Sequence, residues 1–289
     1  MKTNLLLLDS YKNIEDLIAY AFSFSNRAKR DLKIIYVFDF DWMRQSYVIG
    51  SSGPVNTSLV AAEKNAREEF KVAEKKIREV AGEYIKKHAV KVSFEIDVSE
   101  INRIDVVQDE QKKNPAMMLL ISNHQSYSEA SGGVIGYPNL VEHVSCPVFV
   151  IPEGTKYSVM ENVIYATSYH PEDLESLKHL TGLLENTADV HYTILHNQKD
   201  FDFVEKLKWV GFQKMAEEAT GNEKFDFKLK TEKDMVSAIG AFTNEKDPDL
   251  LVMLKEKRGF FEELFSTSET KSVLTHFHKP VLVYHETSM

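Results

Sequence analysis

Residues Asp9–Leu17 read DSYKNIEDL, immediately after the apolar run Leu5-Leu6-Leu7-Leu8, and residues Thr167–Leu174 read TSYHPEDL after Val163-Ile164-Tyr165-Ala166. These two stretches decide the fold, because they mark the chain starting over. Asn4 and Asn162 open both segments. Ser10-Tyr11 matches Ser168-Tyr169 at an offset of 158, and Glu15-Asp16-Leu17 matches Glu172-Asp173-Leu174 at 157. Further along, Asn114-Pro115 before AMMLLI pairs with Asp247-Pro248 before DLLVML, and Cys146-Pro147 before VFVI pairs with Lys279-Pro280 before VLVY, both at an offset of 133. Chance matches would not keep this order and spacing. The drop from 157 to 133 puts about 24 extra residues into the first half, between Leu17 and Pro115. They are expected mostly in a long loop at 40–58, which holds Trp42, Arg44 and Tyr47 and is broken by Gly50, Gly53 and Pro54. That loop is either a plain excursion or a segment bordering a ligand cleft.

Within each half, short apolar runs alternate with longer amphipathic ones, the pattern of parallel strands joined by crossover helices. Strands are predicted near 3–9, 32–39, 90–97, 116–122 and 147–151, then near 162–167, 189–195, 224–229, 249–254 and 280–284. Continuous runs such as MMLLI suit central strands covered on both faces. The clearest helix is predicted over 59–87, where Ala66, Phe70, Ala73, Ile77, Val80 and Tyr84 recur at steps of three and four. The expected fold class is therefore α/β, two tandem doubly wound five-stranded parallel sheets. The expected domains are 1–153 and 162–289, with EGTKYSVME at 153–161 as linker.

Composition narrows the function. A length of 289 residues with 43% hydrophobic content suffices for two cores. A net charge of -9 and a pI near 5.6 weigh against nucleic-acid and anionic-membrane partners, which select basic faces. Cys146 is the single cysteine, so no intrachain disulfide can form. The expected compartment is cytoplasmic, since four leucines closed by Asp9 fall short of a signal core and no apolar stretch has membrane length.

Two consecutive units of this kind, closing on CPVFVIP (146–152) and HKPVLVYH (278–285), resemble a tandem universal stress protein. The more specific parts are LLLLD at 5–9, IIYVFDF at 34–40, and LLVMLKEKRGFFEELF at 250–265. The resemblance implies strand order 3-2-1-4-5, adenine-nucleotide binding in many members, and a regulatory role under stress. Single-unit members dimerise through the fifth strand. By that analogy, and because an edge strand exposes unpaired N–H and C=O groups, Val148–Ile151 is expected to pair antiparallel with Val281–Tyr284 in a pseudo-dimer. A homo-oligomer or a further protein partner stays open.

Nucleotide-binding members carry G-x-x-G after strand four and G-[S/T] nine residues later, because backbone N–H groups must approach phosphate oxygens closely. Here those positions fall on Ser122, Gln125 and Ile135, with Gly136 one residue late. In the second half they fall on Lys255, Arg258 and Ser268. Neither half keeps the motif. What the resemblance leaves is Asp9 as a partner for an adenine amino group, with Val37 flanking the base and Ser122, Gln125 and Gly136 bordering phosphates: a weak or vestigial site for ATP or AMP. From the residues alone Asp9 serves equally as a helix N-cap or turn residue. The repeat mate of Asp9 is Thr167.

No catalytic constellation emerges. The basic cluster Lys255, Lys257, Arg258 reads as surface charge or as a side-chain anion site. His276, His278 and His285 lack a ligand partner at metal spacing, and Cys146 has no base beside it. The function expected is a stress-response regulatory or scaffold protein with degenerate nucleotide loops and no resident cofactor. The alternatives are an adenine-nucleotide sensor using the first half and, less favoured, an enzyme hydrolysing ATP or transferring an adenylyl unit.

Overall fold

The structure, a computed structural model, describes residues 2–38, 56–125, 137–187, 189–199, 202–221, 225–256 and 278–286. It divides into two compact units, Met1–Tyr157 and Ser158–Met289.

The first unit runs β1 (Thr3–Leu8), α1 (Glu15–Ala28), β2 (Asp31–Val37), α2 (Asn56–Lys87), β3 (Phe94–Ser99), α3 (Arg103–Lys113), β4 (Met118–Ser122), α4 (Tyr137–His143) and β5 (Val148–Ile151). Its strands pair in parallel in the order β3-β2-β1-β4-β5. The second unit runs β6 (Asn162–Ala166), α5 (Asp173–Leu184), β7 (His191–Asn197), α6 (Phe203–Ala219), β8 (Phe225–Lys230), α7 (Met235–Lys246), β9 (Leu250–Lys255) and β10 (Val281–His285). Its order is the same, β8-β7-β6-β9-β10, again all parallel. Both units are thus doubly wound α/β sheets of five strands, as the repeats and the alternation predict.

Burial follows position in the sheet. All five residues of β4 and five of the six in β9 are buried, because helices cover both faces of these strands. The outermost strands β3 (FEIDVS) and β8 (FDFKLK) have no fully buried residue and alternate apolar with charged side chains. At the amino ends of β1 and β4 the buried Arg30 donates from Nε to Asn4 Oδ1 (2.7 Å) and from Nη2 to the carbonyls of Thr3 (3.1 Å) and Ala116 (2.5 Å). A guanidinium can be buried this way because its fork of donors finds aligned carbonyl oxygens.

Helix α2 buries the stripe foreseen from its periodicity. Ala66, Ala73, Ile77 and Ala81 are buried, and the Tyr84 ring stacks on Phe22 of α1 with centroids 5.2 Å apart. One expectation needs correction. The extra residues of the first half do not lie mostly in the loop, since α2 has 32 residues against 17 in its counterpart α6. The segment before Ala66 is rich in helix formers, so the helix starts well ahead of the stripe that packs on the sheet. The loop residues 39–55, with Trp42, Arg44 and Tyr47, lie outside the described residues.

Candidate functional site

In an open parallel α/β sheet, ligands bind at the carboxyl ends of the strands where the strand order reverses. In the first unit that point lies between β1 and β4, and three of the expected residues meet there. Asp9 follows β1, Ser122 ends β4, and Gln125 sits three residues beyond. Gln125 is buried, and its Oε1 accepts hydrogen bonds from the backbone N–H groups of Asp9 and Ser10, both at 2.8 Å. Its Nε2 donates to Ser10 O at 3.2 Å. The side chain standing at the second glycine position of the expected loop therefore staples the β1–α1 turn. The buried Ser122 hydroxyl donates to Ile151 O at 2.7 Å and lies 2.7 Å from His124 Nδ1.

Asp9 does not cap α1, whose cap position is Ile14. Its carboxylate instead meets Arg103, with Oδ2 and Nη2 3.5 Å apart and side chains only 4% and 13% exposed. Arg103 opens α3, a start fixed by Asn102, whose side chain accepts from Asp105 N at 2.9 Å. The acid that would receive an adenine amino group is thus matched by a cation of its own chain. Val37 ends β2 beside this cluster and is buried. The neighbouring Tyr36 hydroxyl is pushed up from its ordinary value by burial and then by the negative charges of Glu69 and Asp9. Gly136 and Ile135 lie outside the described residues.

The second unit fills the corresponding place differently. Leu8 pairs with Tyr36 across β1 and β2, and Ala166 with Leu195 across β6 and β7, so Thr167 stands for Asp9 and His196 for Val37. Tyr169 takes a left-handed backbone at φ 67° and lays its ring on His196, centroids 3.8 Å apart, with Trp209 and Phe212 within 6 Å. His196 Nδ1 is 2.8 Å from Thr167 O. Burial lowers the imidazole pKa, and a neutral ring donates to that carbonyl from Nδ1. An aromatic side chain of the protein thus stacks where the resemblance would seat a base.

A buried acid does appear in this unit, one turn later. Asp173 opens α5 and accepts from Tyr165 Oη (2.7 Å), Thr167 Oγ1 (2.6 Å) and His170 N (3.0 Å). Burial raises its pKa to about 6 even though these donors favour the ionised form. Its repeat mate Asp16 is only half-buried, so sequence gave no signal for Asp173 beyond the hydroxyl at Thr167. Arg103 was equally hidden, because its partner lies 94 positions earlier.

Other candidates separate from this end. Cys146 is buried, and desolvation pushes its thiol up to about 12, which suits packing. Lys255 pairs in register with His285 at the ends of β9 and β10, and His278 is exposed; Lys257, Arg258, Ser268 and His276 lie outside the described residues. Among the described residues no three His, Cys, Asp or Glu side chains gather as a metal site, and no helix is long and apolar enough to cross a membrane. A cleft of about 680 Å³ opens at the opposite, amino ends of β1 to β3 around Lys33, Glu95 and Glu110. Lys33 there is already engaged by Glu110 at 3.1 Å. Topology gives the carboxyl end the better claim to a ligand.

Residues 162–285 match the model of the Universal stress protein family. A search of curated proteins finds no match. Among solved structures, a universal stress protein from Archaeoglobus fulgidus DSM 4304 is similar over 99% of this chain and 97% of its own, with a TM-score of 0.61 and 14% identity. A putative universal stress protein from Pseudomonas aeruginosa UCBPP-PA14 is similar over 98% and 92%, with a TM-score of 0.51 and 11% identity. At these identities the likeness is one of fold, and it extends over both units.

Proposed function

We propose that this chain is a tandem universal stress protein that acts as a regulatory or scaffold protein under stress, by binding and display rather than by turnover, with its nucleotide sites closed by its own side chains. The observation that carries the reading is the first unit's strand-end cluster. Gln125 occupies the second glycine position of the phosphate loop, and Arg103 engages the carboxylate that would read an adenine. In the second unit Tyr169 stacks on His196 over the equivalent strand end, which supports the same reading there.

The energetic consequence is large. Backbone N–H contacts to a phosphate contribute roughly 1.5 to 3 kcal/mol each. Losing two weakens binding about a hundredfold or more, which turns a micromolar site into one of roughly submillimolar affinity. Isothermal titration with ATP and magnesium is expected to give no low-micromolar signal, with weak AMP or adenosine binding at most in the first unit and none in the second. A stoichiometric low-micromolar signal abolished by Asp9→Ala would favour the second reading, an adenine-nucleotide sensor. The observation on its side is that Asp9 and Val37 stand together at the ends of β1 and β2.

A further inference from the structure

Helix α6 is apolar on two opposite sides. Trp209, Phe212 and Ala216 are buried against the second unit. Phe203, Val204, Leu207, Val210 and Met215 point the other way, each between 53% and 73% exposed. At about 100° per residue these five fall within an arc of about 140°. An outward face of this kind costs solubility and contributes nothing to the core of its own unit.

We propose that this face is a homodimer interface, with α6 packing antiparallel against α6 of a second copy across a two-fold axis. Three observations select a second copy. The first is area: five large apolar side chains, each more than half exposed, make a patch on the order of the 300–600 Å² that marks interaction sites. A stable interface needs about 800 Å² per partner, about 65% of it apolar in homodimers, so the stripe supplies the apolar core of one such interface. The second is charge. The chain carries -9, but α6 holds three Lys and three Glu and is neutral. Lys208 pairs with Glu205 at 2.6 Å beside the stripe, and Lys214 and Glu218, which fall within the same arc toward the helix end, pair at 3.8 Å, so the charges that two copies bring here are already matched within each helix. A neutral helix also lacks the basic face that an anionic membrane selects.

The third is Gly211. It lies on the stripe one turn from Leu207 and Met215, and a Cβ added to it meets nothing within 4 Å, so no packing inside the chain requires a glycine there. Glycine weakens a helix interior. At this position it leaves a notch, and in the antiparallel arrangement Leu207 of one copy enters the notch of the other, each serving the other identically.

This interface does not depend on the nucleotide reading, and its test is separate. Sedimentation velocity of the full chain across 1–100 µM, a range of about two decades set by the affinity of modest interfaces, is expected to show a monomer–dimer equilibrium. Leu207→Glu should abolish the dimer. Gly211→Leu, which the free chain accommodates, should weaken it at least tenfold by filling the notch. Both variants should keep the wild-type circular dichroism spectrum, which separates loss of association from loss of fold. A monomer at every concentration would overturn the proposal, as would a dimer indifferent to both substitutions. Binding to anionic phosphatidylserine vesicles that Leu207→Glu abolishes in a monomeric chain would assign the face to a membrane instead.

Discussion

At the scale of single residues, the two units handle one buried acid in opposite ways. In the first, the strand-end carboxylate of Asp9 is matched by Arg103 at 3.5 Å. Removing the cation leaves a buried charge that the surroundings cannot solvate, so Arg103→Ala is expected to cost about 3 kcal/mol in urea unfolding. Asp9→Asn in the same chain should restore part of that loss, and a double-mutant cycle with no coupling would refute the pairing. In the second unit the strand end carries a hydroxyl, Thr167, and the acid has moved to Asp173, whose pKa of about 6 lies above the ordinary 3.8. A raised native pKa means the folded state takes up the proton first, so this carboxyl contributes stability at acidic pH that is lost as pH rises from about 4 through about 6. The full contribution is on the order of 3 kcal/mol. Asp173→Asn keeps the shape and removes the titration, so the stability of wild type relative to the variant should fall over that window. Parallel profiles would refute it. Asp9 was visible in the sequence as an acid at a strand end, whereas Asp173 was not, since its repeat mate Asp16 is only half-buried. Arg103 was not visible as the partner of Asp9, because nothing local links a residue after β3 to one after β1.

At the scale of elements, local signals reported well. The alternation of apolar runs located all ten strands to within a few residues, because burial on both faces demands continuous apolar sequence in β1, β4, β6 and β9. Helix starts are set by caps of the expected type: Asn102, Asp202 and Asp234 each accept a hydrogen bond from the backbone N–H three residues on. The extent of α2 was legible as well: predicted over 59–87 and found at Asn56–Lys87, it buries a stripe from Ala66 onward while pairs such as Glu68 with Lys71 face solvent. The outward face of α6 was missed. A helix apolar on two sides shows a blurred period, and only the packing of Trp209, Phe212 and Ala216 reveals which side remains exposed.

At the scale of the whole molecule, edge-strand chemistry carries one further expectation. The fifth strand of each unit pairs with only one neighbour inside that unit, and Pro147 and Pro280 precede these strands, where a missing donor does little harm. Antiparallel pairing of Val148–Ile151 with Val281–Tyr284 would satisfy both edges at once. Cysteines introduced in a Cys146→Ser background at Val150 and at Val283 should then cross-link within one chain, and a failure across several registers of this pair would reject the pairing. Local period, order and spacing along the chain were enough to read the duplication, the two α/β units and the missing G-x-x-G spacing after strand four. Which side chains meet at the strand ends emerged only on folding. Gln125 reaching back to the β1 turn, Arg103 meeting Asp9 and Tyr169 stacking on His196 are contacts between side chains on different elements, and sequence spacing does not encode the directions in which folded elements point their side chains.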